Sequence, residues 1–312
     1  MTKVFIDGSA GTAGLRIRSR LEGRADLDVT VLEGEARKDT EKRREMLNNC
    51  DLAVLCLPDA ASRESVAMIE NPDVRVVDTS TAHRVAPGWA YGFPELGAAR
   101  REAIITGKRV ASPGCHAGGF IVLVQPLIEA GILPPDALLT CHSLTGYSGG
   151  GKGMIAEYEA AERSPALSSP REYGLTQQHK HLPEMAGVSG LENYPVFCPI
   201  VADFYSGMLV TVPLFGAQLN AGYTIDDVRE CYRAKFTGPV VKYVEAMDEA
   251  GFIASNTLTD TDAMQVAVCG NAERMILLSR FDNLGKGASG AAVQCINLML
   301  GADETAGLVL PE

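Results

Sequence analysis

A chain of 312 residues has the length of one large domain or two of ordinary size. Hydrophobic residues make up 46% and charged residues 21%, a composition that supports a buried core and excludes a disordered or collagen-like chain. The 28 Lys and Arg residues against 39 Asp and Glu give a net charge of −11, so neither nucleic acid nor an anionic membrane is an expected partner.

The start of the chain and its cysteines predict a cytoplasmic protein. Met1 is followed almost at once by the apolar Val4-Phe5-Ile6, without the basic segment and long apolar segment of a signal peptide. No apolar run approaches the ~18 residues that span a bilayer. None of the eight cysteines lies in a Cys-x-x-Cys pair, and no two Cys or His residues have zinc-finger spacing. We therefore expect reduced thiols and no metal site.

The first third of the chain alternates between apolar strands and helices. The predicted strands cover 3–7, 28–32, 51–57, 74–78 and 109–112. The predicted helices run from a glycine-rich turn to 22, over 37–47 as a charged and solvated helix, and over 59–69. Repeated βα units of this length predict a parallel, doubly wound sheet with right-handed crossovers, which is an α/β fold.

The pattern changes after residue 134. Long strands are predicted over 138–147, 194–204, 208–215, 264–269 and 274–281. Helices are predicted over 224–235 and, as a small-residue and apolar element, over 287–300. Long strands joined by turns, with few helices, predict a mostly antiparallel sheet with helices on one face.

A glycine-rich turn follows the first predicted strand and opens the first helix. It has the pattern Gly-x-x-Gly-x-x-Gly over 8–14. Glycines let the backbone approach a pyrophosphate, and a helix N-terminus supplies N–H donors and a positive dipole end. The turn therefore predicts a dinucleotide site. Its residues are Gly8, Ser9, Gly11, Thr12, Ala13 and Gly14.

The end of the second predicted strand bears on the choice of dinucleotide. An NAD enzyme usually places an acid there for the ribose hydroxyls, and Glu33 fits that role. Arg37 and Lys38 follow closely and are suited to pair with the 2′-phosphate of NADP, although both also fit a solvated surface. We favour NADP, mostly on the resemblance described below.

Cys115 is the candidate nucleophile. It lies where a predicted strand ends and a helix begins, and the positive end of a helix dipole lowers the pKa of a thiol. The candidate bases lie in His179-Lys180-His181-Leu182-Pro183-Glu184. Glu184 follows His181 by three residues, so on a helical turn it could orient that imidazole. His179 is the less favoured base, and Lys180 could add positive charge for a phosphate.

Six motifs in this order resemble the short-form N-acetyl-gamma-glutamyl-phosphate reductases of arginine biosynthesis. They are the turn over 8–14, Asp78-Thr79-Ser80-Thr81-Ala82-His83-Arg84, Tyr91-Gly92-Phe93-Pro94-Glu95-Leu96, Pro113-Gly114-Cys115, the segment over 179–184, and Asp282-Asn283-Leu284-Gly285-Lys286-Gly287-Ala288-Ser289-Gly290. The resemblance implies an NADP-binding Rossmann domain over 1–114, completed by the C-terminal helix 287–312. It also implies an α+β catalytic domain of the glyceraldehyde-phosphate-dehydrogenase type over 115–286, and assembly as a homodimer or homotetramer.

The resemblance also implies a reaction and further site residues. The Cys115 thiolate would attack an acyl phosphate, and the thioacyl enzyme would accept a hydride from NADPH to give N-acetyl-glutamate semialdehyde. His181, held by Glu184, would be the acid–base group. Cofactor contacts would include Leu57, Pro58 and Asn283, and substrate contacts Ser80, Arg84 and Glu95. Long-form relatives commonly have Tyr-Pro-Thr after the cysteine, where this chain has His116-Ala117-Gly118, as fits the short form.

Three other functions are compatible with parts of the sequence. Residues 146–153 nearly match a P-loop, but Gly153 replaces the Ser or Thr that would bind magnesium. We expect Gly149, Gly150 and Lys152 to bind phosphate or substrate instead. An aspartate-semialdehyde dehydrogenase is disfavoured by the motifs over 91–96 and 179–184. A non-enzymatic dinucleotide-binding regulator is disfavoured by the intact cysteine and histidine.

The net charge of −11 is unfavourable for polyanionic ligands such as NADPH and an acyl phosphate. We therefore expect local positive charge around the ligands, from helix N-termini at Gly11 and Cys115 together with a set of cations. These candidate cations are Arg37, Lys38, Arg84, Lys152, Lys180 and Lys286.

Overall fold

The computed structural model describes residues 1–9 and 11–311. Ala10, in the predicted glycine turn, and Glu312, at the end of the predicted segment 287–312, lie outside the described residues. The chain divides into two compact units. The first contains Met1–Pro94, Ala98–Gly114 and Ala288–Leu308, and the second contains Glu95–Gly97, Cys115–Gly287 and the residues from Val309 onward.

Each unit is built on one sheet, and the strands are numbered in chain order. The first sheet contains β1 Thr2–Asp7, β2 Leu27–Val31, β3 Leu52–Leu55, β4 Arg75–Asp78, β5 Ala90–Tyr91 and β6 Arg109–Ala111. The second contains β7 Thr140–Gly146, β8 Arg171–Glu172, β9 Val196–Ala202, β10 Met208–Phe215, β11 Val241–Tyr243, β12 Met264–Gly270 and β13 Arg274–Phe281.

The helices of the described residues are numbered in the same way. They are α1 Thr12–Leu21, α2 Thr40–Asn49, α3 Asp59–Ala67, α4 Ala98–Thr106, α5 Cys115–Glu129, α6 Gly151–Glu159, α7 Leu182–Ser189, α8 Ile225–Lys235 and α9 Gly290–Leu300. None of them has the length and apolar content that a membrane-crossing helix needs.

The first sheet is parallel, with strand order β2-β1-β3-β4-β6-β5. All four residues of β3 are buried, as expected for a central strand covered on both faces. Helix α9 is buried from residue 290 to 299 and packs against α1 and α4 in this unit. The predicted doubly wound α/β fold of Rossmann type is therefore confirmed.

One predicted helix, 37–47, differs in the structure. A 3-10 turn covers Gly34–Lys38, and α2 begins only at Thr40 because the Asp39 carboxylate accepts hydrogen bonds from the first backbone N–H groups of the helix. The helix is also not solvated on every face. Arg43 is 8% exposed and binds the buried Asp7 carboxylate at 3.1 Å. The charged pattern hid this contact because an inward-facing arginine with a buried partner cannot be distinguished by sequence from a solvated one.

Two short segments depart from the predicted domain boundaries. Glu95–Gly97 was expected within 1–114 but groups with the second unit, where Glu95 binds Lys286. The chain end from Val309 was expected to complete the first domain but also groups with the second unit. It is held there because Asp262 N donates to Val309 O and Val309 N donates to the Asp262 carboxylate at 2.8 Å.

The second sheet is mixed, with strand order β11-β12-β13-β10-β7-β9-β8. Four of its six strand pairs are antiparallel, while β7–β9 and β11–β12 are parallel. Helix α5 packs on β10 and β13, and α8 packs on β12. This unit confirms the predicted α+β catalytic domain.

Gly119 sets how closely α5 approaches that sheet. A β-carbon at this position would lie 2.5 Å from a methyl of Val210 and 2.8 Å from the Phe281 ring, both far inside van der Waals contact. The carbonyl of Gly119 also accepts a hydrogen bond from the Ser279 hydroxyl at 2.8 Å. Because Gly119 is one helical turn after Cys115, the close contact holds the start of α5 against the sheet.

Candidate active site

Cys115 is the first residue of α5 and is half-buried. The amide groups of the first helical turn carry a partial positive charge there, which favours the thiolate over the thiol. Gly287, in the π-helical turn Gly285–Ser289, packs against this position, since a β-carbon at 287 would lie 3.0 Å from Cys115 Cβ. The predicted nucleophile thus lies at a helix N-terminus, and the residue packed against it is a glycine.

His179 and His181 lie beside His116, the residue that follows Cys115. The ring centroids of His179 and His181 are 4.8 Å apart, and His116 lies 5.6 Å from His181 and 6.0 Å from His179. Phe197 of β9 lies 5.4 Å from the His116 ring and 5.1 Å from the His179 ring. The second unit therefore brings both candidate bases to the start of α5.

His179 and His181 have different surroundings. The backbone N–H of His181 donates to Nδ1 of His179 at 3.2 Å, so that nitrogen must carry a lone pair. Burial, and then the charge of Lys180, lowers the pKa of His179, which keeps the ring neutral and able to accept this hydrogen bond. His181 is only 5% exposed and stands directly before α7. His179 thus has a structural hydrogen bond, and His181 stays the predicted acid–base group.

Glu184 lies in the first turn of α7, three residues after His181, and is 2% exposed. The spacing used in the sequence prediction therefore exists on a helical turn in the structure. That Glu184 orients His181 stays a prediction. Lys180, between the two histidines, is exposed. Its ammonium group is therefore accessible to an anion in solution.

The sequence interpretation missed a hydrogen-bonded chain through His116. Its Nδ1 lies 2.6 Å from Ser143 Oγ on β7, and its Nε2 lies 2.7 Å from the Tyr173 hydroxyl. Burial, followed by the charge of His179, lowers the pKa of His116 to about 3, so the ring is neutral near pH 7. No motif marked Ser143 or Tyr173. The one usable signal was the histidine at 116 itself, directly after the candidate nucleophile.

The glycine turn of the first unit packs against the end of β3. Gly8 has a φ of +92°, and a β-carbon there would lie 2.4 Å from Cys56 O and 2.8 Å from a Leu57 methyl. A β-carbon on Gly14 would lie 2.7 Å from Gly8 O. Gly11, at the N-cap of α1, has no side chain to cap the helix. A turn of this shape fits a dinucleotide, because a pyrophosphate needs a bare backbone and helix N–H groups.

The other predicted cofactor residues lie around this turn or in the second unit. Ser9 is buried, Thr12, Ala13 and Leu57 are half-buried, and Pro58 is exposed before α3. The structure thus brings the glycine turn and Leu57 together, whereas Asn283 belongs to the second unit.

Replacing Gly8 by Ala is expected to weaken binding of a dinucleotide at this turn by at least about tenfold, because both the clash with Cys56 O and the positive φ oppose a β-carbon. Gly23 is the matched control. It has a φ of +84° but open space around its missing β-carbon, so Gly23→Ala tests backbone strain without the clash. Calorimetric titration with NADP measures both. Equal affinities for Gly8→Ala and the wild type would contradict the assignment of the turn.

The predicted 2′-phosphate cations lie in the 3-10 turn after β2. Arg37 Nε donates to Gly34 O at 3.2 Å, and Lys38 pairs with Glu35 at 3.2 Å, with both side chains exposed. Glu33, the alternative ribose acid, lies 3.3 Å from Arg18. An exposed pair of this kind is held weakly, so these side chains can reorient toward a ligand.

The motif over 78–84 is a tightly bonded turn in the first unit. Asp78 is fully buried, and its carboxylate lies 2.6 Å from His83 Nδ1 and accepts from the Ser80 hydroxyl at 2.7 Å. Arg84, 9% exposed, donates to the carbonyls of Ser112 and Thr79, each at 3.0 Å. Ser80 therefore shapes the turn that holds Arg84, and direct substrate contact by either residue stays a prediction.

Lys286, one of the candidate cations, is buried and paired with a carboxylate. It is 3% exposed, and its ammonium lies 2.9 Å from both carboxylate oxygens of Glu95. Glu95 neutralises the charge, because an unpaired ammonium at this depth would be costly. Both residues belong to the second unit and join the segment 95–97 to the turn before α9.

The glycine-rich segment 146–153 does not form a P-loop. The backbone N–H groups of Gly146, Tyr147 and Ser148, at the start of the segment, donate to the carbonyls of 207, 204 and 205, so none of these three is available to a phosphate. Gly149 and Gly150 are exposed just beyond them, and Lys152 is exposed in the first turn of α6.

Asn283 is buried and secures this segment. Its side-chain oxygen accepts from Gly207 N at 2.8 Å, and its side-chain nitrogen donates to Ser148 Oγ at 3.0 Å. Asn283 thus joins two turns of the second unit. Its predicted contact with the cofactor stays a prediction.

Comparison with known protein families agrees with both units. Residues 3–104 match the model of the semialdehyde dehydrogenase NAD binding domain, and residues 115–283 match that of the semialdehyde dehydrogenase dimerisation domain. In fold, the chain is similar to aspartate semialdehyde dehydrogenase II of Vibrio cholerae, with a TM-score of 0.74 over 96% of this chain and 98% of that one, at 15% identity. It is also similar to the Candida albicans aspartate semialdehyde dehydrogenase solved with NADP, with a TM-score of 0.67 over 97% and 99% of the two chains, at 15% identity.

Sequence relatives are much more similar. The N-acetyl-gamma-glutamyl-phosphate reductase of Rhizobium meliloti is 45% identical over 307 residues, which cover 96% of this chain and 99% of the relative. The N-acetyl-gamma-glutamyl-phosphate reductase 2 of Pseudomonas putida is 42% identical over 306 residues, covering 96% and 97%. The chain therefore belongs to the semialdehyde dehydrogenase family, in the branch of the N-acetyl-gamma-glutamyl-phosphate reductases.

Proposed function

We propose that this chain reduces N-acetyl-glutamyl 5-phosphate to N-acetyl-glutamate 5-semialdehyde and inorganic phosphate, with Cys115 as nucleophile. The observation that carries the proposal is the half-buried cysteine at the N-terminus of α5. The next residue, His116, forms a spatial cluster with His179 and His181. The names of the relatives that match nearly the whole chain supply the substrate.

The chemistry begins with the thiolate at the start of α5. Its sulfur attacks the acyl carbon of the acyl phosphate and forms a carbon–sulfur bond, and the carbon–oxygen bond to phosphate breaks. Inorganic phosphate leaves with the electron pair of that bond. A nicotinamide cofactor, when bound, supplies the hydride that reduces the thioacyl group. The resulting thiohemiacetal collapses to the aldehyde and regenerates the thiol.

His181 is the proposed acid–base group. It accepts the proton of the Cys115 thiol and later handles the proton of the thiohemiacetal hydroxyl as the aldehyde forms. Two features support this role: the ring lies within the histidine cluster, and His179 Nδ1 is already occupied by a backbone N–H. Glu184, buried one turn along α7, is proposed to orient the imidazole.

NADP is the proposed cofactor within the NAD-binding domain. Arg37 and Lys38 support it, because two exposed cations directly after β2 are suited to a 2′-phosphate. For the substrate we propose Lys180, Lys152 and Arg84 as cationic contacts, with Gly149 and Gly150 supplying exposed backbone near Lys152. A reducing cytoplasm is the proposed location, because the nucleophile must stay a thiol and no disulfide bond joins cysteines in the described part of the chain.

Assembly as a homodimer or homotetramer is proposed to use the sheet face opposite α5. This face carries Phe215, 64% exposed, and beside it Pro213, which pairs with the exposed Ile276 across β10 and β13. Exposed apolar residues grouped on a regular sheet are typical of an interface.

Phe215→Glu is expected to shift the protein toward the monomer, because it introduces a charge on this face that association would have to bury. Sedimentation equilibrium measures the shift, and Tyr223→Glu, an exposed aromatic outside the strands, is the control. An unchanged mass for the Phe215 variant would place the interface elsewhere.

The reverse reaction tests the proposed activity. The enzyme is supplied with N-acetyl-glutamate semialdehyde, phosphate and NADP, and the formation of NADPH is followed by absorbance. We expect turnover with this substrate and at least about a hundredfold lower kcat/KM with aspartate semialdehyde, since a site built for one polar group rejects an analogue that lacks it. Preference for aspartate semialdehyde would assign the enzyme to the other reductase, and ATP hydrolysis without NADP would revive the P-loop alternative.

A further inference from the structure

In the hydrogen-bonded chain Ser143–His116–Tyr173, burial determines which group donates and which accepts in each hydrogen bond. Ser143 is fully buried, and among the described residues His116 Nδ1 is the partner of its hydroxyl. If His116 donated from Nδ1, the serine hydrogen would have no acceptor in the described part of the chain, which is costly in a buried site. Ser143 therefore donates its hydrogen to His116 Nδ1.

The neutral state of His116 then determines the rest of the chain. Burial keeps the pKa of this ring near 3, so near neutral pH it has one N–H and one lone pair. With the lone pair on Nδ1, the hydrogen lies on Nε2 and is donated to the Tyr173 oxygen at 2.7 Å. The tyrosine hydroxyl is an acceptor in this bond, and its own hydrogen stays available for another group.

Tyr173 lies close to the start of α5, because its hydroxyl is 2.7 Å from Nε2 of His116, the residue that directly follows Cys115. Its phenol is only partly exposed, and its pKa is raised, first by burial and then by the charge of Cys115. An acyl group attached to this sulfur develops negative charge on its oxygen in each tetrahedral adduct. A fixed donor aimed at that oxygen stabilises the adduct more than the ground state.

We propose that His116 is a positioning residue that turns the hydroxyl hydrogen of Tyr173 toward the acyl oxygen of the tetrahedral adduct on Cys115. No proton is transferred in this arrangement, and the hydrogen bond strengthens as charge develops. The inference rests on the proposed function for the identity of the acyl group. The direction of the chain rests on the contacts of His116 alone.

The direction is tested without substrate. Nuclear magnetic resonance of protein labelled with nitrogen-15 in its histidines distinguishes the two neutral tautomers, and the signal missing from His116→Phe identifies the residue. We expect the tautomer with hydrogen on Nε2 near neutral pH, and a shift of this equilibrium in Ser143→Ala. Hydrogen on Nδ1, or a charged ring, would overturn the proposal.

The role of Tyr173 as a donor to the acyl oxygen is tested by kinetics. Tyr173→Phe is expected to lower kcat about a hundredfold with KM within about threefold, as for removal of one oxyanion donor. His116→Phe should lower kcat to a similar degree. The rate of Cys115 alkylation by iodoacetamide should be unchanged in both variants, because alkylation forms no oxyanion. Tyr232→Phe, which removes a buried hydroxyl bonded to Leu123 O, is the control and should keep kcat.

The outcomes separate the two proposals. A kcat for Tyr173→Phe within threefold of the wild type, or a fall in alkylation as large as the fall in kcat, would overturn the role of Tyr173 as oxyanion donor. A wild-type enzyme without turnover on N-acetyl-glutamate semialdehyde would contradict the proposed function. In that case the tautomer of His116 would still decide whether the chain runs toward Tyr173.

Discussion

Cys115→Ser is expected to lower kcat by roughly 10⁴-fold or more, in line with the loss of an enzyme's nucleophile. A serine hydroxyl at the same place has a much higher pKa, and the partial charge of a helix N-terminus does not ionise it. NADP binding should be unchanged, because the bare backbone of the glycine turn, and not the Cys115 sulfur, is proposed to hold the pyrophosphate. NADPH formation in the reverse reaction gives kcat, and calorimetric titration gives the affinity for NADP.

Cys269→Ser is the matched control, since it changes a half-buried thiol of β12 in the same unit. It should keep kcat within about twofold, as surface or half-buried substitutions away from a site usually do. A Cys115 variant that retained a tenth of the activity would exclude the covalent route.

Chemical modification of the cysteines gives a second test of the Cys115 thiolate. Iodoacetamide at slightly acidic pH should modify Cys115 before the six thiols whose pKa burial raises. Those six are Cys50, to about 11, Cys56, to about 12, and Cys141, Cys198, Cys231 and Cys269. Peptide mapping identifies the first site of modification, and an initial label on any of the six would contradict a thiolate at the start of α5.

His181→Asn is expected to lower kcat by about 10²- to 10⁴-fold, the usual contribution of a general acid–base group. His179→Asn is expected to cost less than about tenfold, because the asparagine side-chain oxygen can still accept the backbone N–H that His179 Nδ1 accepts now. Comparing the two variants distinguishes a loss of acid–base catalysis from a loss of the hydrogen bond that holds the segment before α7. Full pH profiles of kcat and KM for both variants make the measurement.

The reverse order of effects would identify His179 as the acid–base group and His181 as its support. His181→Ala helps to decide between these assignments, since it keeps the backbone N–H that His179 accepts while removing the imidazole. Its kcat should fall as far as that of His181→Asn.

The parallel sheet of the first unit could be predicted because its central strands are short apolar runs. All four residues of β3 are buried, so the run over 51–57 contained the signal that places it inside a sheet. The start of α2 could not be placed, because Asp39 acts through its side-chain cap and looks like any other charged residue in 37–47. Arg43 was misjudged as solvated for the same reason.

In the second unit, the strands could be predicted from sequence but their pairing could not. The strands over β7, β9 and β10 were predicted from their apolar runs, but the parallel pairing of β7 with β9 depends on chain crossings that no local pattern records. That pairing sets Phe197 beside the histidine cluster and Ser143 beside His116. The motifs therefore predicted Cys115 and the histidines over 179–181, whereas Tyr173 and Ser143 needed the tertiary structure.

Close packing at Gly119 has a consequence for anyone who wants to alter this enzyme. A single methyl added at 119 meets Val210 and the rigid Phe281 ring, so one-step substitution there lifts the start of α5 and moves the reactive sulfur with it. Shortening Val210 relieves only one of these two contacts, and the Phe281 ring has to change as well. Positions 119, 210 and 281 therefore vary together, and a combinatorial library has to randomise them jointly to reach sequences that no single position can enter alone.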